Sequence, residues 1–239
     1  MGKDHGIRQF ENVDAVLFDM DGTLVDFFGD AERALTKAMR RHDLMPHDWE
    51  TFFAGYVEAA IARYQDYAAG RITRDQMRRR RVTEALGQIG QSPAKVESVV
   101  ADYLHVLNRE VTLTPGAGDV VARLAARYRL GVVTNGFVDT STQRLERAGL
   151  MGHFQAVVVS EELGIHKPEA AVFAEALRRL AATAERSVFV GDSLEHDVAG
   201  ARAIGMRAIY YRRDGSSEGP LEPEPDLVIS DLRNLLTVL

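Results

Sequence analysis

The chain has 239 residues, of which 46% are hydrophobic and 27% charged, with a formal net charge of −6 and no cysteine. That length allows one large core with an elaboration or two small domains; the absence of thiols excludes disulfides, thiolate nucleophiles and cysteine-ligated zinc, and the negative balance argues against a nucleic-acid polymer or a membrane surface as partner. Residues 1–6 have no apolar signal core and no run approaches the roughly 18 apolar residues of a membrane span, so a cytoplasmic location is expected.

Residues 13–18 (Val-Asp-Ala-Val-Leu-Phe) form a short apolar run that leads into Asp19, Asp21, Gly22 and Thr23. This reads as a buried strand ending in a turn that carries function. In extended backbone, residues i and i+2 point the same way, so Asp19 and Asp21 aim two carboxylates at one place beyond the strand end. Two carboxylates that close favour protonation unless a cation lies between them or their environments push their pKa values apart. The pair therefore asks for a metal or a division of acid and base work.

The next apolar run ending in a polar pair begins only at Leu130, whereas a βαβ crossover needs about 30 residues. The intervening stretch reads as helices over residues 30–41, 48–69, 73–89 and 92–108. Thr73 with Gln76 fits a capping box, and Ser92 before Pro93 fits an N-cap with proline at the first helical position. The four consecutive arginines at 78–81 cannot share one helix face and read as a solvated, ion-paired surface. Residues 27–112 are thus expected to form a separate all-helical domain, with Thr114-Pro115-Gly116 as the hinge that returns the chain to a core made of residues 1–26 and 113–239.

From the hinge onward helices and apolar strands alternate: helix 117–128, strand 130–134, helix 139–148, strand 156–160, helix 168–180, strand 187–191, helix 195–204, strand 207–211. A loop over 212–226 precedes an edge strand at 227–229 and a closing helix at 232–239. This is the pattern of an α/β fold, a Rossmann-like three-layer core with a parallel sheet covered on both faces. In such sheets ligands bind at the carboxyl ends of the strands, so Asp19, Thr134, Ser160 and Asp192 should gather along one rim.

Four clusters fall on that rim in order: Asp19-Met20-Asp21-Gly22-Thr23, Thr134-Asn135, Lys167-Pro168, and Gly191-Asp192-Ser193-Leu194-Glu195-His196-Asp197. The set resembles the haloacid dehalogenase (HAD)-like hydrolase superfamily, in its phosphatase branch with a helical cap between the first two motifs, and is most similar to pyrimidine 5′-nucleotidases and sugar phosphatases. The resemblance implies a phosphomonoester hydrolase acting on a small phosphorylated metabolite, a nucleoside 5′-monophosphate or a sugar phosphate, through an aspartyl-phosphate. Asp19 would be the nucleophile. Asp21 would protonate the leaving alcohol and then take a proton from the hydrolytic water.

The physical reading of the same residues is compatible. Thr134 offers a hydroxyl and Asn135 a backbone N–H to phosphoryl oxygens, and Lys167 adds a point positive charge that Pro168, at the start of the following helix, would aim. Asp19, Asp21, Asp192 and a phosphate accumulate more negative charge than Lys167 offsets, and oxygen ligands suit Mg²⁺. The resemblance implies ligation by the Asp19 carboxylate, the Asp21 backbone carbonyl and Asp192, with Asp197 holding a metal water or Lys167. Other activities remain open: 2-haloacid dehalogenation, against which Asp21 speaks, phosphomutase chemistry, and a receiver-like phospho-aspartate signal. A monomer and a homodimer are equally compatible with the sequence.

Overall fold

A computed structural model describes residues 10–213 and 220–239. The signal-region reading of residues 1–6 and part of the loop read over 212–226 lie outside the described residues. Among the described residues no helix is long and apolar enough to cross a membrane. The chain divides into two compact units, residues 1–27 with 111–239, and residues 28–110.

Strand β1 (Ala15–Phe18) is followed by α1 (Phe27–Arg41), α2 (Trp49–Ala68), α3 (Arg74–Gln88) and α4 (Val96–Arg109), which from residue 28 onward make up the second unit. Their starts follow the local chemistry. Asp48 accepts the Thr51 amide at 3.1 Å; Thr73 and Gln76 complete the capping box, with bonds of 3.2 and 2.9 Å. Ser92 and Pro93 open a 3₁₀ turn, Pro93–Lys95, rather than α4 itself. Leu35 and Met39, Phe52 and Tyr56, Val82 and Leu86, and Val99 and Tyr103 recur at helical spacing and are buried, which is how an amphipathic helix acquires its inner stripe.

The arginine run departs from expectation. Arg78 is buried and the Arg81 guanidinium lies over the rings of Tyr56 and Tyr103, at 5.7 and 5.0 Å, while Arg79 pairs outward with Glu97 at 2.9 Å. Four consecutive residues sweep a full turn of helix, so some must face inward.

In the first unit β1 is joined by α5 (Ala117–Ala125), β2 (Arg129–Thr134), α6 (Val138–Arg147), β3 (Ala156–Val159), α7 (Ser160–Leu163), α8 (Ala170–Leu180), β4 (Ser187–Gly191), α9 (Ala199–Ala203), β5 (Arg207–Tyr211), β6 (Leu227–Ile229) and α10 (Leu235–Val238). The strands form one parallel six-stranded sheet in the order β3-β2-β1-β4-β5-β6. The α/β reading is therefore realised. The two-residue period of a strand divides β1 between two cores: Val16 and Phe18 pack with Val120, Val121 and Leu232 on one face, Ala15 and Leu17 with Phe173, Leu177 and Phe189 on the other. Each buried Val, Leu or Phe among them contributes about 1.5–3 kcal/mol, which explains runs that are apolar without alternation.

Boundaries move in this unit as well. The helix read from Pro168 begins at Ala170, beyond a cis Lys167–Pro168 bond. The helix read over 195–204 is a π turn, Leu194–Val198, continued by α9. Ser160, read as a strand end, opens α7.

Candidate active site

The chain extends the sheet to β3 on one side of β1, then returns to place β4 on its other side, so strand order reverses between β1 and β4. In open α/β sheets such a reversal is where ligands bind, outside the carboxyl ends of the strands. Asp19 follows β1, Thr134 closes β2, and Asp192 follows β4.

Asp19 is 5% exposed. Its Oδ1 accepts Lys167 Nζ at 2.5 Å, and the same ammonium donates to Asp197 Oδ1 at 2.7 Å. Asp197 Oδ2 accepts the Ser193 amide at 3.0 Å, so both of its oxygens are engaged. This π turn aims Asp197 at Lys167. The loop carrying Lys167 is fixed by the Asn135 side chain, whose Oδ1 accepts Lys167 N at 2.8 Å and Ser160 Oγ at 2.7 Å, and whose Nδ2 donates to Lys167 O at 3.1 Å. Asn135 thus braces the loop through its amide, a role beyond the backbone N–H read from sequence. Thr134 is buried and its hydroxyl oxygen accepts Gly136 N at 3.0 Å, which leaves its proton available to an anion.

Asp192 lies close over Gly22. A Cβ at Gly22 would stand 2.1 Å from Asp192 Oδ2, and the glycine has φ +95. Only glycine combines that backbone with that clearance. Carboxylate oxygens of Asp19, Asp192 and Asp197 come within 4.8 Å of one another.

The electrostatics are those of a site short of positive charge. Burial pushes the Asp19 carboxyl up against the pull of Lys167, and Asp197 and Asp192 push it further. Burial, then Asp197, pushes Asp192 up to about 7. Burial works against the Lys167 ammonium, yet Asp19 and Asp197 outweigh it and hold the amine above its ordinary value. Asp19 Oδ2 is buried without a hydrogen-bond partner. Three clustered carboxylates, one of whose oxygens is orphaned, with one ammonium among them, suit a hard divalent cation with oxygen ligands.

One participant gave no signal in the sequence. Arg144, on α6 and 1% exposed, donates from Nη1 to Asp21 Oδ1 at 2.5 Å. It stands 123 residues from its partner, and an arginine in an amphipathic helix reads as surface.

This chain belongs to the haloacid dehalogenase-like hydrolases, the family that matches residues 13–205. It is a hydrolase built on a Rossmann-like sheet. Among its relatives, a phosphoserine phosphatase of Thermus thermophilus is 35% identical over 66% of this chain and 63% of its own length, so that match spans under two thirds of the relative. The pyrimidine 5′-nucleotidase PynA of Streptococcus pneumoniae is 28% identical over 94% of both chains. In structure, the magnesium-bound HAD-hydrolase YfnB of Bacillus subtilis superposes with a TM-score of 0.85 at 26% identity, covering 96% of this chain and 99% of that one.

Proposed function

We propose that the protein is a Mg²⁺-dependent phosphatase acting on a small phosphate monoester, a nucleoside 5′-monophosphate or a sugar phosphate, with Asp19 as nucleophile and Asp21 as acid and base. The observation that carries this reading is the buried Asp19 carboxylate, gripped by Lys167 on one oxygen and bare on the other. A nucleophile needs a fixed direction and a free lone pair, and Asp19 has both.

In the first step a bond forms between an Asp19 oxygen and phosphorus while the ester P–O bond breaks, and Asp21 gives its proton to the departing alcohol. In the second, water adds to phosphorus as Asp21 takes its proton; the Asp19–phosphorus bond breaks and inorganic phosphate leaves. Thr134 Oγ1, the Asn135 backbone N–H and Lys167 Nζ stabilise the phosphoryl oxygens. Asp19, the Asp21 carbonyl and Asp192 would hold Mg²⁺, which supplies counter-charge to the transferring phosphoryl group. Asp197 keeps Lys167 aimed. The helical unit would act as a cap that selects the substrate, and a cytoplasmic monomer or homodimer fits the same reading.

A phosphate-release screen over nucleoside monophosphates and sugar phosphates, with Mg²⁺ and with EDTA, tests this. Turnover confined to the Mg²⁺ arm and to one ester class is expected. Full activity in EDTA would remove the metal, and no release from any monoester would overturn the assignment.

A further inference from the structure

Among the described residues Arg144 is the largest fully buried side chain. We propose that Arg144 is a positioning residue for the acid–base carboxylate: its guanidinium grips Asp21 Oδ1 and so presents Oδ2 to the leaving oxygen of the substrate. The inference rests on the role given to Asp21 above.

The contact geometry supports an anchoring function. Arg144 Nη1 meets Asp21 Oδ1 at 2.5 Å, and the guanidinium lies over the Phe27 ring with 5.2 Å to its centroid. The aromatic face holds the cation from one side while the carboxylate holds it from another. The Asp21 side chain remains 25% exposed, so the grip leaves part of the carboxylate open. A proton-transfer group must reach the reacting oxygen in a set orientation, and a carboxylate tied at one oxygen loses most of its rotational freedom.

The other oxygen faces the phosphate-binding side. A Cβ on Gly136 would stand 3.5 Å from Asp21 Oδ2, 3.2 Å from Thr134 Oγ1 and 2.3 Å from Ser141 Oγ, so these three groups converge on one bare backbone position. Ser141 lies three residues before Arg144 on the same inner face of α6, and its buried hydroxyl has no hydrogen-bond partner. One helix therefore brings both an anchoring cation and a spare hydroxyl to the Asp21–Thr134 side of the site.

Stability alone does not account for the arginine. Desolvating a guanidinium is costly, and an apolar side chain of similar volume commonly serves a buried position as well or better. Leu145, the next residue, is that kind of side chain and packs in the core.

The test compares leaving groups. Departure of an alkyl alcohol needs a proton, whereas p-nitrophenolate leaves without one. In single-turnover measurements of the first step, Arg144→Met should slow release of the alcohol from a sugar phosphate or nucleotide by about 10-fold or more and release of p-nitrophenolate by under about 3-fold, while the second step, in which Asp21 acts as base, slows for both. Arg144→Lys, which keeps the charge without the planar fork, should recover part of the loss. In an Asp21→Asn background Arg144→Met should add nothing, because residues acting as a unit are not additive. Equal losses for both leaving groups in that first step, or additive losses in the double variant, would overturn the positioning role. Should Arg144→Met fail to fold, the same comparison with Arg144→Lys decides. A wild-type profile in Arg144→Met beside a crippled Asp21→Asn refutes the positioning role alone, whereas wild-type turnover in Asp21→Asn refutes the acid–base reading and this inference with it.

Discussion

Replacing Lys167 with methionine should destabilise the fold in a pH-dependent way. The substitution keeps the length and apolar stem of the side chain and deletes the ammonium that bridges Asp19 Oδ1 and Asp197 Oδ1 at 2.5 and 2.7 Å. All three side chains are almost fully buried, at 3%, 8% and 3% exposure. Removing one partner of such a set leaves uncompensated buried charge, which costs about 3–5 kcal/mol. For a chain of this size that is a fall in Tm of about 6–20 °C.

The sign with pH follows from Asp19. Burial already pushes its carboxyl above the ordinary 3.8, and Lys167 is the group that pulls it down. Without the ammonium the folded protein holds the Asp19 proton still more tightly than the unfolded chain does. The variant's stability is then greatest in acid and declines as pH rises from about 4, levelling only above the raised folded value. Urea denaturation in EDTA at pH 5 and pH 8 measures this, and the deficit relative to wild type should be larger at pH 8. A deficit under about 1 kcal/mol, or one equal at both pH values, would refute the claim that Lys167 neutralises buried carboxylates. Adding Asp197→Asn should return part of the loss.

Mg²⁺ affinity measured by calorimetry should rise about tenfold per pH unit and level off above pH 7, because the metal displaces a proton from Asp192, whose carboxyl is pushed up to about 7. Pronounced affinity at pH 5 equal to that at pH 8 would exclude Asp192 as a ligand. Asp19→Asn should abolish phosphoenzyme and turnover together. Asp21→Asn should lose about 10²–10⁴ in rate and accumulate phosphoenzyme from an aryl phosphate, seen as a mass increase on the peptide carrying Asp19. Gly22→Ala would force its Cβ against Asp192 Oδ2, 2.1 Å away; weakened Mg²⁺ binding is expected, and an unchanged Kd would mean that Asp192 need not stand there.

The sheet and its rim were legible because they depend on short-range arithmetic. A four-residue strand buried on both faces must be apolar throughout, and carboxylates two residues apart must leave it on one side, as Asp19 and Asp21 do. Ser92 and Asp48 likewise announce turns through bonds made within three residues. What stayed hidden depends on distant partners. The Asn135 amide bonds lie 25 and 32 residues along the chain, and the Arg144 contact with Asp21 is created only when α6 packs beside β1's outgoing loop. The π turn at Leu194–Val198 also had no periodic signature, since its sequence, rich in acids, reads as an ordinary first turn of helix.

Where the chain leaves the sheet and where it returns are hydrogen-bonded to each other. Val25 and Leu113 form an antiparallel bridge, Asp26 N donates to Thr112 O at 2.9 Å, and Thr114 N donates to Leu24 O at 3.0 Å. Antiparallel neighbours are what a tight hairpin of about two residues joins. The sheet-bearing unit therefore sees the helical insert as a two-residue turn would be seen: its outgoing and returning segments meet whatever is spliced between them. Such a junction makes the insert a cassette, open to exchange in evolution or on the bench without redrawing any strand of the sheet, and its length costs the host only the slow logarithm of loop closure.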